Sequence, residues 1–245
     1  MEKLSPQAVI FDLGSTLIEY ETMSWSDLSA LCAASARKFL LKEGFNVPAE
    51  DEFVQAFEAV KDTYRTVASE KWVEWTIPQA AGKLFDEIGV NFNMSQIDRF
   101  FDAYYKPVDK RLYIYEDTIA TLAKIRERFP VVGLISNTIF PERAHRRELQ
   151  RFGIEPFLDF AIFSSTFKLR KPHPDIFHKA ANLAGYAPRE CVYIGDRYPE
   201  DVCGAQGAGM SAILKFHSSR EYPDDMPEDT RRIQTLSDLA DHLDF

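Results

Sequence analysis

Four short apolar runs punctuate the chain, and each ends abruptly in a polar or glycine residue. They are Ala8–Phe11 before Asp12, Val131–Ile135 before Ser136, Cys191–Ile194 before Gly195 and Asp196, and Ser211–Phe216 before His217. A weaker fifth run, Phe160–Phe163, precedes Ser164 and Ser165. Short continuous apolar runs without alternation suit parallel strands covered on both faces. Between the later runs lie helix-like patterns at Glu116–Phe129, Pro141–Phe152, His173–Leu183 and Glu200–Gly209. Strand alternating with helix predicts an α/β fold, a doubly wound parallel sheet with right-handed crossovers. The expected strand order is 5-4-1-2-3, with the first strand central.

One stretch breaks this rhythm. From Glu19 to Leu112 the periodicity is helical and no strand stands out. Ser24 or Ser26 caps a predicted helix to Lys42, with Gly44 as its stop. Pro48–Ala68, Pro78–Ile88 and Ser95–Tyr105 make three more, the last followed by Pro107. The expected organisation is a core of residues 1–18 and 113–245 and an inserted all-helical domain over 19–112. An insertion leaving a sheet just after a strand that carries an aspartate is a candidate lid.

Composition narrows the class. The chain has 245 residues, 45% of them hydrophobic and 27% charged, with a net charge of -9. That excess of acid argues against a nucleic-acid groove as the main surface. No segment reaches the roughly 18 consecutive apolar residues of a spanning helix, and none reads as a signal peptide. Cys32, Cys191 and Cys203 show neither CxxC nor zinc-like spacing, so a reducing, cytoplasmic setting is expected. The polar stretch His217–Thr230 reads as a loop.

In a doubly wound sheet, ligands sit outside the carboxyl ends of the strands. Those ends present Asp12, Ser136 with Asn137, and Asp196; Lys171 follows the fifth run and Asp201 comes five residues after Asp196. Carboxylates, a lysine and a hydroxyl converging there suit magnesium and a phosphoryl group, because magnesium takes carboxylate oxygens and a lysine neutralises a phosphoryl oxygen.

FDLGSTL, LISNT, RKPHPDIF and VYIGDRYPEDVCGAQGAGM resemble, in order, the four motifs of the haloacid dehalogenase superfamily. The resemblance covers about residues 8–214, and the helical insertion is similar to that superfamily's C1 cap. It implies a magnesium-dependent hydrolase, a phosphatase of a small phosphorylated metabolite, with Asp12 as nucleophile. By the same resemblance Ser136, Lys171, Asn137 and Thr16 contact the phosphoryl group. Asp12, the carbonyl of Gly14, Asp196 and Asp201 hold the magnesium, and Gly204–Gly209 packs a helix. The implied partner is the small-molecule substrate, with neither nucleic acid nor membrane; the oligomeric state is open.

The chain departs from the superfamily at one place. The phosphatase form of the first motif has a second aspartate, the general acid and base, where this chain has Gly14. Such a group is worth about 10²–10⁴ in rate. Three repairs stay open: a leaving group that needs little protonation, such as an acyl or anomeric phosphate; an acid from elsewhere, with Glu19, Tyr20, Glu21 and His173 as candidates; or weak turnover in a phosphate-binding relative. A 2-haloacid dehalogenase is the other alternative, since those enzymes also lack the second aspartate. Trp72, Trp75, Arg65 and Lys71 are candidate substrate contacts from the insertion.

Overall fold

The computed structural model describes residues 2–90 and 92–244. It places six parallel strands in one sheet: β1 (Ala8–Phe11), β4 (Val131–Ser136), β5 (Phe160–Phe163), β6 (Cys191–Gly195), β7 (Ser211–Lys215) and β8 (Arg232–Ile233). Their order is β5-β4-β1-β6-β7-β8. Read from the β7 side, the first five reproduce the expected 5-4-1-2-3. The sixth, β8, is an addition at the edge, two residues long and too short to leave a pattern in the sequence. β1 pairs with β4 on one side, Phe11 opposite Leu134, and with β6 on the other, Phe11 opposite Ile194. The chain runs outward from β1 to β5, then returns to lay β6 beside β1. The crevice of such a sheet therefore opens at the carboxyl end of β1.

The central strands β1 and β6 carry no charged residue because both faces are covered, whereas β7 ends in a buried lysine, Lys215, and β8 holds Arg232. β1 and β6 are buried along their whole length. On one face Ile176, Phe177 and Ala180 of α8 (Pro174–Ala184) pack with Ile10, Tyr193 and Leu214. Gly204 opens α9 (Gly204–Gly207), and a Cβ there would lie 2.8 Å from the Phe177 ring and 3.0 Å from Pro172. That supports the reading of the glycine-rich segment as close helix packing. The expected helix at Glu200–Gly209 divides: Tyr198–Cys203 winds as a π-helix before α9. Insertions of that kind concentrate at functional sites, and this one carries Asp201.

The chain divides into two compact units. The α/β unit is Met1–Glu19, Tyr113–Thr138 and Glu142–Phe245; the other is Tyr20–Leu112 with Ile139–Pro141. A two-residue antiparallel ribbon, β2 (Ile18–Glu19) on β3 (Tyr113–Ile114), marks where the chain leaves and re-enters the α/β unit. Neither strand left a pattern in the sequence, for the same reason as β8.

The second unit holds α1 (Trp25–Lys42), α2 (Glu50–Lys71), α3 (Ile77–Glu87) and α4 (Met94–Asp109). Ser24 caps α1 by accepting from the Asp27 N–H, while capping boxes start α3 (Thr76 with Gln79) and α4 (Asn93 with Gln96). Their interior is aromatic, with Phe57, Phe85 and Phe100 meeting edge to face. Lys61 is fully buried there, paired with Glu58 and donating to Ser29.

Helix α4 runs past Pro107, four residues beyond its expected end at Tyr105. Proline has no N–H to give the carbonyl four residues back, that of Ala103. The Ser35 hydroxyl of α1 donates to that carbonyl at 2.7 Å instead. A neighbouring helix thus satisfies what the proline leaves open, and the helix continues.

Candidate active site

Asp12 follows β1 directly, and its N–H donates to Ile194 of β6 at 2.8 Å, so the sheet ladder fixes its backbone. Asp196 directly follows β6. Asp201 lies in the π-helical turn, where one oxygen accepts the Arg197 N–H at 2.8 Å. A Cβ on Gly195 would fall 2.4 Å from the Asp201 carboxyl carbon, so only glycine lets that turn fold against the strand end. The outcome is a cluster: Asp12, Asp196 and Asp201 each offer an oxygen, all within 4.8 Å of one another, and all three residues are buried.

Lys171 enters this cluster from the loop before α8, 2% exposed. Its ammonium donates to Asp12 Oδ1 at 2.7 Å, to Asp201 Oδ1 at 2.5 Å and to the Tyr193 hydroxyl at 2.7 Å. The Tyr193 hydroxyl in turn donates to the Ile135 carbonyl at 3.1 Å. Burial alone would pull the lysine down, but Asp12 and Asp201 outweigh it and hold the ammonium above its ordinary value. Burial, with Asp201 and Asp196 adding to it, pushes the Asp12 carboxyl from 3.8 up to about 7, against the pull of Lys171. Asp196 is raised in the same way, by burial first and then by Asp201, with Arg220 opposing.

The remaining residues nominated from sequence fall into separate groups. Ser136 ends β4, buried, at the mouth of the same crevice. Thr16 is fully buried and its hydroxyl has no hydrogen-bond partner among the described residues. Gly14 is partly exposed in the turn after Asp12, bridged to Ile18. Asn137 is paired with the backbone of Lys171. Its amide accepts from the Lys171 N–H at 2.8 Å and donates to the Lys171 carbonyl at 2.9 Å, pinning the loop that carries the lysine.

Of the candidate replacement acids, His173 instead caps α8, accepting from the Asp175 N–H at 3.2 Å. Glu21 accepts from the Trp25 indole at 3.0 Å in the helical unit. Glu19 is buried and bonded to Ser15, at 3.3 Å, to Tyr115 and to His217. Within the helical unit, Trp75 is core, stacked on Tyr64, and Arg65 pairs with Glu58 and Asp62 of its own helix. Lys71 and Trp72 are exposed at the end of α2.

Two site residues were not legible from sequence. Tyr193 looks like one more apolar strand residue, and Arg220 like a solvated charge in a polar loop. In the structure the Arg220 Nε donates to Asp196 Oδ2 at 2.6 Å.

A divalent cation suits this donor set. Three carboxylates cluster beside Lys171 and Arg220, and Asp196 Oδ1 is buried with no partner among the described residues. An unpaired buried carboxylate oxygen is costly unless an ion or donor meets it. Oxygen-only ligands at a strand-end cleft match the preference of magnesium.

The haloacid dehalogenase-like hydrolase family matches residues 6–209. Among curated relatives, glyceraldehyde 3-phosphate phosphatase of Methanopyrus kandleri is 27% identical over 207 residues, 84% of this chain and 82% of that protein. N-acylneuraminate-9-phosphatase of Rattus norvegicus is 24% identical over 226 residues, 89% of this chain and 85% of that protein. Among solved structures, 2-haloacid dehalogenase of Pseudomonas syringae pv. Tomato DC3000 superposes with a TM-score of 0.70 at 20% identity, covering 96% of this chain and 97% of that one. That last likeness is one of fold. No described helix is long and apolar enough to cross a membrane.

Proposed function

The chain belongs to the haloacid dehalogenase-like hydrolases, and on that premise we propose that it is a magnesium-dependent phosphatase of a small phosphorylated metabolite. The observation that carries this reading is the cluster of three buried carboxylates knitted by one ammonium. Two relatives named as phosphatases of small phosphate esters support the reaction class. On the same reading, residues 1–18 and 113–245 are the catalytic core and residues 19–112 a C1-type cap that selects the substrate.

Asp12 is the nucleophile. Lys171 holds Oδ1, so Oδ2 is the oxygen that attacks phosphorus. The ester oxygen leaves with its bonding pair, and the phosphoryl group passes to Asp12 as an acyl phosphate. Water then attacks that phosphorus, releasing inorganic phosphate and restoring the carboxylate. Asp12, Asp196 and the Gly14 carbonyl would hold the magnesium, with Asp201 beside them. When bound, it supplies positive charge to the phosphoryl oxygens and lowers the cost of ionising Asp12. Lys171 stays charged throughout, and Ser136 and Thr16 offer hydroxyl donors to the phosphoryl oxygens.

No carboxylic acid stands at Gly14 to protonate the leaving oxygen. Acyl, anomeric or aryl phosphates, whose leaving group is already a weak base, need no acid at that place, whereas alkyl esters such as those named for the two relatives need one from elsewhere. The test is phosphate release from acetyl phosphate and p-nitrophenyl phosphate, against glycerol phosphate, with magnesium and with chelator. We expect turnover of the first two only with magnesium, and none in Asp12→Asn. Turnover of a haloacid in excess chelator would replace the phosphatase reading with a dehalogenase one.

A further inference from the structure

The family match ends at residue 209, yet the loop after β7 reaches back onto the carboxylate cluster. Three of its residues fasten it there. Arg220 donates through Nε to Asp196 Oδ2 at 2.6 Å and through Nη2 to the Ser15 hydroxyl at 3.4 Å. The Tyr222 hydroxyl donates to the Asp196 backbone carbonyl at 3.0 Å while accepting the His217 N–H at 2.9 Å. His217 Nε2 meets Glu19 Oε2 at 2.8 Å, and the Tyr222 ring rests against Phe216 at 4.9 Å between centroids. Asp196 is thus gripped at both its side chain and its peptide by one short segment.

The grip has a direction. With Oδ2 turned to the guanidinium, Oδ1 is the oxygen left over, buried and without a partner among the described residues, on a side chain clustered with Asp12 and Asp201. A carboxylate rotates about two side-chain bonds, so a bound cation would otherwise have to freeze it. An arginine holding one oxygen has already done so, which is the usual work of an outer-shell partner. We propose that residues 217–222 form a clamp in which Arg220 and Tyr222 are positioning residues, presenting Asp196 Oδ1 to the divalent cation. This rests on the reading of Asp196 as a cation ligand.

The two ideas separate in one set of measurements on the full chain. Magnesium binding is titrated calorimetrically in wild type, Asp196→Asn, Arg220→Met, Arg220→Lys and Tyr222→Phe, with melting temperatures taken in chelator. Loss of an outer-shell partner costs about 10–100-fold in metal affinity. Arg220→Met should show that loss, Arg220→Lys a smaller one, and Tyr222→Phe a measurable one at an unchanged melting temperature in chelator. Should Arg220→Met not fold, the other two loop variants carry the test. Unchanged binding in Asp196→Asn would overturn the cation site itself. Abolished binding in Asp196→Asn beside wild-type or tighter binding in the loop variants would overturn the clamp alone, and tighter binding would make Arg220 a competitor of the cation.

Discussion

Replacing the proposed nucleophile should make the metal-free protein more stable, and the gain should grow with pH. The Asp12 carboxyl is raised from 3.8 to about 7 in the folded chain. Below pH 4 the group is protonated whether folded or unfolded and contributes nothing. Between pH 4 and 7 the unfolded chain ionises while the folded one keeps its proton, so stability falls as pH rises, and above 7 the cost is complete. At 1.36 kcal/mol per unit, that cost is about 1 kcal/mol at pH 4.5 and about 4 kcal/mol at pH 8. Asparagine mimics the protonated acid in shape but brings an amide N–H₂ that needs an acceptor, so a net gain of about 1–3 kcal/mol at pH 8 is expected. For a chain of this size that is a rise of roughly 2–12 °C in melting temperature. The assay is paired denaturation of wild type and Asp12→Asn in chelator at pH 4.5 and 8. Magnesium should then stabilise the wild type, by about 2.7 kcal/mol at a hundredfold excess over its Kd, and so close the gap. A gap independent of pH, or a variant less stable than wild type at pH 8, would refute the electrostatic account.

Three further outcomes follow from contacts already described. Gly14→Asp should raise kcat/KM for glycerol phosphate about 10- to 100-fold relative to p-nitrophenyl phosphate, since the alkoxide gains most from a proton donor; equal loss on both would assign the need to glycine itself. Lys171→Met strands Asp12 and Asp201 without their ammonium and should cost about 3–5 kcal/mol in chelator at pH 8, together with turnover. A variant of wild-type stability would mean that the two carboxyls are not jointly ionised. Ser35→Ala should cost about 1–3 kcal/mol by leaving the Ala103 carbonyl without its donor, and unfolding curves should show it with the Asp12 chemistry intact. Unchanged curves would show that the carbonyl finds water.

The fold was readable because buried parallel strands are mostly apolar, so the polar or glycine residue after an apolar run marks its end. Asp12, Ser136 and Asp196 stand out by that contrast alone. The strand order followed from the alternation, whereas β2, β3 and β8 are two residues each and set up no period. Pro107 misled the end of α4 because the compensating donor, Ser35, lies 68 residues away on another helix. Asn137 illustrates the same limit at the site. Its place after Ser136 invites a role in binding substrate, but its amide is matched to the backbone of Lys171, a pairing across 34 residues. Tyr193 and Arg220 were hidden for opposite reasons, one inside an apolar run and one inside a polar loop. Residue type shows what a side chain can do; only the fold shows which neighbour it does it with.

The bonds of Lys171 imply something about how the site turns over. An ammonium has three protons, and Asp12, Asp201 and the Tyr193 hydroxyl receive them. An arriving phosphoryl oxygen therefore cannot be added to this lysine; it has to be swapped for one of the three. The neutral hydroxyl is the weakest of the three acceptors and the natural one to release, since the two carboxylates also attract the ammonium by their charge. Tyr193 then becomes the return spring of the site. On the proposed mechanism, when phosphate departs the Tyr193 hydroxyl accepts the lysine's hydrogen bond again, and the lysine is back in register with both carboxylates before the next substrate arrives.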